Sequence, residues 1–349
     1  MSFRVAVVGA GRMGKLHARI LAQMEQVQLV CVVDTNPGAA DALAKQRSCK
    51  PLYEAAQAVD MVDAAIIAVP TVSHVQVATP FVQAGKPVLI EKPIANDPAE
   101  AEQLIKLARK TGTGVQVGHT ERFNPAVLAM QKHAIKPKFI EAHRISPFTF
   151  RSADVGVVFD MMIHDIDLIL MLVGGRVEQV HAVGVNVLGQ HEDICNARLA
   201  FDNGCVANIT ASRLAIKTER KMRIFSEEAY ITVDYARKLG IVIEKSRNLD
   251  LIQMAREMDI DDLAELAEQV DYKQLLTVEE LVVDESTEPL RRQAEAFYQT
   301  VATGRPPEVS AEEGLAAIRV AKRIVDSIKS HKWDGKHGTR EGLDVIQKE

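Results

Sequence analysis

An apolar stretch, residues 159–173, is interrupted by four ionisable side chains, which are Asp160, His164, Asp165 and Asp167. On an α-helix, Asp160, His164 and Asp167 would share one face, because their spacing is i, i+4, i+7. Burying such groups without a role would be costly. The pattern therefore predicts a reactive polar stripe on a largely buried helix.

An acid one helical turn before a histidine suits general-base catalysis. The Asp160 carboxylate would hold the imidazole of His164 in one tautomer and stabilise its protonated form. We therefore expect His164 to accept the proton of a hydroxyl while a hydride leaves the same carbon. In the structural alternative, Asp160 is only a helix N-cap and His164 is a satisfied core histidine.

Lys92, in the sequence Ile90-Glu91-Lys92-Pro93, is a second candidate for chemistry because it directly follows a predicted strand. A cation at that place can hydrogen-bond the reacting oxygen and stabilise negative charge that develops on it. The alternative is a surface lysine at a strand end. Pro93 fixes the local turn in either case.

Residues 3–14 predict a binding site for a cofactor that could accept the hydride. Val5 to Val8 form a short apolar run that is typical of a buried strand. The G-x-G-x-x-G turn that follows contains Gly9, Gly11 and Gly14, and the next helix would point its free N–H groups at a pyrophosphate. This arrangement predicts a dinucleotide site.

The acidic residue Asp34 supports the prediction of a dinucleotide site. A second predicted strand, residues 28–33, ends in Asp34, 20 residues beyond Gly14. A carboxylate there accepts hydrogen bonds from ribose hydroxyls, whereas a 2′-phosphate would meet like charge, so NAD is expected rather than NADP. In the alternative reading, Asp34 merely caps the helix after Pro37.

Strands and helices alternate through the first third of the chain. The strands are predicted at 3–9, 28–34, 64–69, 87–91 and 114–118, and the helices at 12–25, 37–47, 72–84 and 98–111. This alternation predicts a parallel, doubly wound Rossmann sheet in a domain spanning 1–122, with its ligand at the carboxyl ends of the strands.

The pattern changes in residues 123–330, for which we expect an α+β domain with an open, mostly antiparallel sheet. Its elements are predicted as helices at 125–134, 160–173, 289–303 and 310–330 and as extended segments at 138–149, 177–188, 196–201, 205–212, 221–225, 230–235 and 241–245. The final helices are free to pack back on the first domain. The acid-rich segment 247–288 is interpreted as a solvated helix face, and residues 331–349 as a polar, poorly ordered tail.

Composition, charge and the length of apolar runs restrict the classes of protein to which the chain can belong. The chain has 349 residues, 47% hydrophobic residues and a net charge of −5, which is ordinary for a globular protein and argues against a nucleic-acid partner. No apolar run is long enough for a bilayer, and no signal peptide precedes the first strand, so a cytoplasmic protein is expected. The four cysteines have no metal-site spacing and are expected to be reduced; no metal is predicted.

Together these motifs resemble the glucose-fructose oxidoreductase and inositol dehydrogenase family, written Gfo/Idh/MocA. The resemblance rests on the glycine turn, Val-Pro-Thr at 69–71, Glu-Lys-Pro at 91–93 and Asp160 with His164. It implies that Lys92 and His164 are the catalytic pair, that Asp160 assists, that the bond before Pro93 is cis, and that the second sheet builds a homodimer or homotetramer. The candidate cofactor-binding residues are Gly9, Gly11, Arg12, Met13, Gly14, Asp34, Thr35, Pro70, His74, Glu91 and Lys92.

A narrower resemblance lies in Gly118-His119-Thr120-Glu121-Arg122-Phe123-Asn124-Pro125 and in Asp154-Val155-Gly156. It is similar to the subgroup that oxidises UDP-N-acetylglucosamine at the 3-hydroxyl. The substrate-binding candidates are Arg122, Asn124, Arg144 and Arg151, since arginine suits diphosphates. Each is equally open to a structural role in an ion pair, and the acidic segment lies outside the family pattern.

Three functions remain open from the sequence. The first is an NAD-dependent dehydrogenase of a sugar alcohol, with UDP-N-acetylglucosamine as the expected substrate. The second keeps this chemistry but acts on a free sugar or inositol. The third is a non-catalytic NAD-binding sensor or assembly subunit on the same scaffold.

Overall fold

The computed structural model describes residues 2–133, 135–149, 155–227, 229–245, 276–286, 288–335 and 340–343. The chain divides into two compact units. Unit 1 comprises Met1–Phe123, Ile166–Leu168 and Ser286–Val325, and unit 2 comprises Asn124–Asp165, Ile169–Glu285 and Asp326–Glu349. The first segment of unit 1 ends one residue beyond the predicted boundary. Ser286–Val325, predicted as part of the second domain's range, belongs to unit 1 instead.

Unit 1 is built on a six-stranded sheet. Its strands are β1 (Phe3–Val8), β2 (Val27–Val33), β3 (Lys50–Leu52), β4 (Ala64–Ile67), β5 (Val88–Glu91) and β6 (Val115–Gly118). They are all parallel in the order β3-β2-β1-β4-β5-β6. The predicted doubly wound sheet is confirmed. The sequence analysis missed β3, a three-residue edge strand that contains a proline and gives little periodic signal.

The described α-helices follow one another as α1 (Arg12–Leu21), α2 (Pro37–Arg47), α3 (His74–Gln83), α4 (Pro98–Thr111), α5 (Pro125–Met130), α6 (Ile163–Val173), α7 (Pro289–Thr303) and α8 (Ala311–Lys329). The prediction extends α1 four residues too far, because the chain turns at Ala22–Met24 to reach β2. None of these helices combines the length and the apolar composition that a bilayer crossing needs.

Helix α7 completes the hydrophobic core on the α1 side of the parallel sheet. Leu290, Ala294 and Phe297 of α7 are buried in one cluster with residues of α1 and of the strands. Arg19 of α1 also forms an ion pair with Glu288, which directly precedes α7. Helix α7 thus belongs to the core that supports the glycine turn.

Unit 2 contains an eight-stranded sheet. Its strands are β7 (Phe139–Ile145), β8 (Val177–Val185), β9 (Ile194–Phe201), β10 (Val206–Ser212), β11 (Glu219–Phe225), β12 (Ala229–Asp234), β13 (Leu239–Lys245) and β14 (Leu276–Glu280). Their order is β14-β13-β12-β11-β7-β10-β9-β8, and the pairs are antiparallel apart from β7 with β10. The predicted mostly antiparallel sheet is confirmed.

Two predictions about the C-terminal half need correction. Strand β14 lies inside segment 247–288, which the sequence analysis interpreted as a helix face; β-branched Thr277 and Val278 favour a strand there, and the surrounding acids obscured that signal. Residues 246–275, with the acidic run itself, lie outside the described residues. In the tail, Trp333 donates its indole N–H to the carbonyl of Gly342 at 2.8 Å, so part of the segment is ordered.

Candidate active site

The glycine turn after β1 requires glycine at two positions. Gly9 has φ +105°, and a Cβ there would lie 2.4 Å from the carbonyl oxygen of Ala68. A Cβ on Gly14 would lie 1.7 Å from the carbonyl oxygen of Gly9, so helix α1 can approach the turn only without a side chain. A Cβ on Gly11 would meet nothing within 4 Å. The backbone at Gly11 therefore borders open space.

The start of α1 offers hydrogen-bond donors to that space. Gly11 is the N-cap and supplies no side-chain cap. The N–H of Lys15 bonds to the carbonyl of Gly11 at 3.0 Å, so the N–H groups of Arg12, Met13 and Gly14 precede the first intrahelical bond. Such groups bind phosphate oxygens. The turn thus fits the pyrophosphate of an NAD-type dinucleotide.

Asp34 is held in place by the backbone at the end of β2. Its carboxylate accepts the N–H of Ala10 at 2.7 Å and that of Asn36 at 2.8 Å. A carboxylate has about four lone-pair sites, so capacity remains for ribose hydroxyls. Helix α2 is capped instead by Asn36, whose Oδ1 accepts the N–H of Ala39. The alternative that Asp34 caps α2 is wrong. Thr35, the neighbouring candidate, is exposed.

Lys92 leaves the carboxyl end of β5 and is half-buried. The Lys92–Pro93 bond is cis, as the resemblance implies. Buried His74 lies beside this loop, with Nδ1 2.8 Å from the carbonyl oxygen of Pro93 and Nε2 2.9 Å from that of Val69. Burial lowers the pKa of His74. Its imidazole thus ties the Lys92 loop to the segment after β4, where exposed Pro70 begins the turn into α3.

Glu91 is supported by a residue that the sequence analysis did not single out. Nε2 of fully buried His17, on α1, lies 2.7 Å from the Glu91 carboxylate. A Cβ on Gly118 would lie 3.2 Å from that carboxylate, so glycine leaves room for it. A histidine on the sheet-facing side of an otherwise amphipathic α1 was the available signal.

Arg122 lies in a buried charged cluster of unit 1. Its guanidinium grips Asp167 through two hydrogen bonds of 2.8 and 2.7 Å and donates a third to Glu313. Burial opposes its charge, but these carboxylates raise the pKa of Arg122 and its charge lowers the pKa of Glu313. His119 is 1% exposed and lies 3.8 Å from Asp167. This geometry favours the structural role for Arg122.

The helix that carries Asp160 and His164 begins irregularly. Residues Val158–Met162 form a π-turn, and α6 follows directly. Both Asp160 and His164 are half-buried, whereas Asp165 and Asp167 are 1% exposed. Asp165 is gripped by Arg144 of β7 through hydrogen bonds of 2.7 and 2.9 Å. The predicted polar stripe is therefore reduced to Asp160 and His164, because the other two acids are neutralised by arginines.

Glu192 holds the start of the π-turn through two hydrogen bonds, and this arrangement is called the Glu192 clamp below. The backbone carbonyl of Glu192 accepts the N–H of Val157 at 3.0 Å, and its carboxylate accepts the N–H of Val158 at 3.2 Å. A Cβ on Gly156 would lie 2.0 Å from that carboxylate. The next residue, Asp193, binds Arg213. Sequence reasoning missed this clamp because Glu192 is remote in sequence from the turn that it holds.

The clamp predicts an effect on stability. We expect Gly156→Ala to lower the free energy of unfolding by about 1–3 kcal/mol, because the new methyl group displaces the Glu192 carboxylate. The loss should shrink in a Glu192→Ala background, as measured by urea denaturation. Gly38→Ala, on the exposed first turn of α2, is the control and should be close to neutral. Additive losses for Gly156 and Glu192 would contradict the clamp.

The remaining substrate candidates also have structural contacts. Asn124, 6% exposed, caps α5 by accepting the N–H of Ala126 at 3.0 Å and donates to the carbonyl of Tyr235 at 3.4 Å. Arg144 is bound to Asp165 as described above. Arg151 lies outside the described residues.

Comparisons with known proteins agree with this architecture. Residues 3–119 match the family model described as "Oxidoreductase family, NAD-binding Rossmann fold", and residues 136–232 match the GFO/IDH/MocA C-terminal domain. The chain is 37% identical over 233 residues to the UDP-N-acetylglucosamine 3-dehydrogenase of Acidithiobacillus ferrooxidans, covering 66% of this chain and 74% of that protein. It is 27% identical to the inositol 2-dehydrogenase of Rhizobium meliloti, covering 94% and 97%.

A solved structure gives the same result. The crystal form P21 of the Acidithiobacillus ferrooxidans UDP-N-acetylglucosamine 3-dehydrogenase superposes with a TM-score of 0.82 at 30% identity, covering 94% of this chain and 98% of that one. Fold and glycine turn together define a class, the Rossmann oxidoreductases that bind an NAD-type cofactor. Within that class, the chain belongs to the Gfo/Idh/MocA family and is a dehydrogenase.

Proposed function

We propose that this dehydrogenase oxidises a secondary alcohol of a sugar, with the 3-hydroxyl of UDP-N-acetylglucosamine as its substrate group and NAD as the hydride acceptor. The named activity of the 37% identical relative supports this substrate. The observation that carries the reaction type is a contrast in burial. Asp165 and Asp167 are buried against arginines, whereas Asp160 in the π-turn and His164 in the first turn of α6 are half-exposed. π-Turns occur frequently at functional sites.

Each proposed catalytic residue has one task. Bound NAD supplies the acceptor for the hydride. The His164 imidazole accepts the proton of the substrate hydroxyl, and the Asp160 carboxylate stabilises the resulting positive charge. The ammonium group of Lys92 hydrogen-bonds the reacting oxygen and offsets the negative charge that develops on it. The Glu192 clamp fixes the backbone that carries Asp160.

The proposed preference for NAD over NADP rests on Asp34. We expect Asp34→Asn to raise the KM for NAD about tenfold, because hydrogen bonds to a charged acceptor are worth about 1.5–3 kcal/mol. Discrimination against NADP should fall at the same time, since like-charge repulsion is removed. Steady-state kinetics with both cofactors measure this, with Asp60→Asn, an exposed acid of the same unit, as control. An unchanged ratio of NAD to NADP efficiency would contradict the role of Asp34.

A substrate panel tests the proposed function. NADH formation is followed by absorbance with UDP-N-acetylglucosamine, UDP-N-acetylgalactosamine, free N-acetylglucosamine and inositols. Turnover is expected with the UDP-N-acetylhexosamines, and mass spectrometry should find a product lighter by two hydrogens. Turnover confined to unphosphorylated polyols would contradict the nucleotide-sugar assignment. Tight NAD binding without any turnover would support the non-catalytic alternative.

A second candidate is oxidation of a free sugar or an inositol. The inositol 2-dehydrogenase of Rhizobium meliloti favours it, because this relative aligns with 94% of the chain. The same residues would act, since the chemistry at the carbinol carbon is unchanged. The panel separates the two candidates by the requirement for the nucleotide.

We also propose a cytoplasmic homo-oligomer assembled through the open face of the second sheet. An apolar strip on one face of β13 and β14 supports this: Leu239, Ile241 and Val278 are 60%, 40% and 58% exposed. The register places all three on the face opposite to buried Val242. Analytical ultracentrifugation tests it, and a monomer at micromolar concentration would contradict it.

A further inference from the structure

A wide cavity of about 1020 Å³ lies within unit 2. Three segments line it: the chain after β7 around Phe148, the β10–β11 connection from Arg213 to Thr218, and the β12–β13 turn around Arg237. Its volume is at the upper end of the range for small-molecule sites, about 300–1,000 Å³. None of the catalytic residues proposed above lines this cavity.

The described lining of this cavity carries more cations than acids. Among the described residues that line it, the cations are Arg213, Lys217, Lys221 and Arg237, and the acids are Glu219 and Asp234. The whole chain is acidic, with a net charge of −5. The cavity is therefore a local cationic site that attracts an anion.

Three of these cations are loosely engaged. Lys217 is exposed and forms no ion pair within the described part of the chain. Lys221 lies 3.5 Å from Glu219, and Arg237 lies 3.9 Å from Asp234. These separations exceed the roughly 2.7–2.9 Å of a charge-assisted hydrogen bond. By contrast, Arg122 and Arg144 grip buried carboxylates at 2.7 Å, so they are committed within the fold.

The cavity also adjoins the segment that carries Asp160. Arg213, which lines it, donates from Nη1 to the carbonyl of Val155 at 2.7 Å, just before the π-turn. Ser146, next to the lining residue Ile145, contacts the sulfur of Met161 at 3.8 Å. Both contacts lie inside unit 2. A ligand in the cavity would therefore lie beside the backbone that positions the proposed general base.

Apolar side chains complete the lining. The guanidinium of Arg213 lies 5.6 Å from the centre of the Phe148 ring, in cation–π geometry. Ile216 is 95% exposed at the cavity, an unusual position for a large aliphatic side chain. Inorganic phosphate would leave these apolar surfaces exposed to water, whereas the base and ribose of a nucleoside would cover them.

We propose that this cavity binds the nucleoside diphosphate part of the substrate, with Lys217, Lys221 and Arg237 contacting the phosphates. This inference rests on the proposed function, since it presumes a nucleotide-sugar substrate. The sequence analysis named Arg122 and Arg144 as candidates for contacting the diphosphate. In this proposal other cations take that role, because both arginines are bound to buried carboxylates. The apolar side of the cavity, at Phe148 and Ile216, takes the base.

Titration calorimetry of the full chain, saturated with NAD, tests the proposal with UDP, UMP and uridine as probes. UDP is expected to bind more tightly than UMP, and uridine weakest. The double variant Lys217→Ala/Lys221→Ala and the single variant Arg237→Ala should each weaken UDP binding about tenfold or more, because they remove charged contacts. The matched control is Arg223→Ala, an exposed arginine two residues beyond Lys221 that does not line the cavity. It should bind UDP as the unaltered chain does.

Kinetics then separate this proposal from the proposed function. The cavity variants should raise the KM for UDP-N-acetylglucosamine about tenfold while kcat changes less than threefold, since the reacting groups are intact. Normal turnover with unchanged KM in these variants would overturn the cavity assignment and leave the proposed function standing. UDP binding that the variants abolish, with no turnover of any nucleotide sugar, would support the cavity and overturn the proposed function. Equal affinity for UDP in all variants would overturn the cavity assignment.

Discussion

Replacing His164 by asparagine is expected to lower kcat by about 10²–10⁴-fold, the range of a positioned general base. Asparagine keeps a polar side chain of similar reach but cannot accept the hydroxyl proton at neutral pH. The cofactor turn lies in unit 1 and shares no residue with the His164 helix segment, so NAD affinity should change less than threefold. Stopped-flow measurement of NADH formation and fluorescence titration of NADH provide the two readouts.

A matched control separates chemistry from folding. His143, on β7 of the same unit, is also half-buried, and His143→Asn should retain kcat within about threefold. Thermal unfolding of both variants checks that unit 2 is intact. If His164→Asn kept more than a tenth of the original kcat, His164 would not be the proton acceptor.

Asp160→Asn tests the assisting role. Loss of the carboxylate removes the charge that stabilises protonated His164, so kcat should fall less than in His164→Asn and the acid limb of the pH profile of kcat should shift to lower pH. The shift has this sign because an imidazole without a neighbouring carboxylate loses its proton at lower pH, so the form that can accept the hydroxyl proton persists further into acid. The rate falls because this imidazole is the weaker base. A profile identical in shape to that of the unaltered chain would remove Asp160 from the reaction.

Local patterns predicted the turn that fits the cofactor because its residues are close in sequence. The glycine turn, the start of α1 and the end of β2 are encoded within about 30 residues, and each has a steric or electrostatic reason that the sequence displays. The close contact at Gly14, which leaves no room for a Cβ, and the open space beside Gly11 follow directly from that motif. Asp34 was predictable for the same reason.

The surroundings of the proposed catalytic residues Asp160 and His164 depend on contacts between residues that are distant in sequence. Helical periodicity placed Asp160, His164 and Asp167 on one face, but it could not foresee that Arg122 neutralises Asp167 or that Arg144 neutralises Asp165. A π-turn also departs from the α-helical period on which that prediction relied. Pairing of buried charges is decided by tertiary packing, so the sequence left the roles of these arginines open.

The same limit explains the supporting residues. His17 and Glu91 are 74 positions apart, and His17 is recognisable only once α1 is known to pack against the end of β5. Their hydrogen bond holds Glu91, and through it the backbone that enters Lys92. Together with His74, which lies 2.8 Å from the carbonyl oxygen of Pro93, it holds the chain on both sides of Lys92. Such preorganisation is what an electrostatic role for an ammonium group requires.

Removal of that ammonium group has the second large expected effect. Lys92→Met keeps the length of the side chain but removes its charge and its donors. We expect kcat to fall about 10²–10³-fold, the typical result of deleting one donor to a developing oxyanion. NAD affinity should change less, because the glycine turn, which fits the pyrophosphate, is unaltered. Lys86→Met, a half-buried lysine just before β5, is the control and should be near normal.

Two further variants show whether Lys92 acts as a donor or only fills space. Lys92→Arg keeps the charge, but its planar fork cannot reproduce a compact ammonium, so kcat should stay well below that of the unaltered chain. Lys92→Ala should regain part of its activity when ethylammonium is added, since a small cation can replace the lost group. Equal kcat for Lys92→Met and Lys86→Met would contradict the role of Lys92. A rescue that follows amine size and charge would identify the ammonium group itself as the donor to the reacting oxygen.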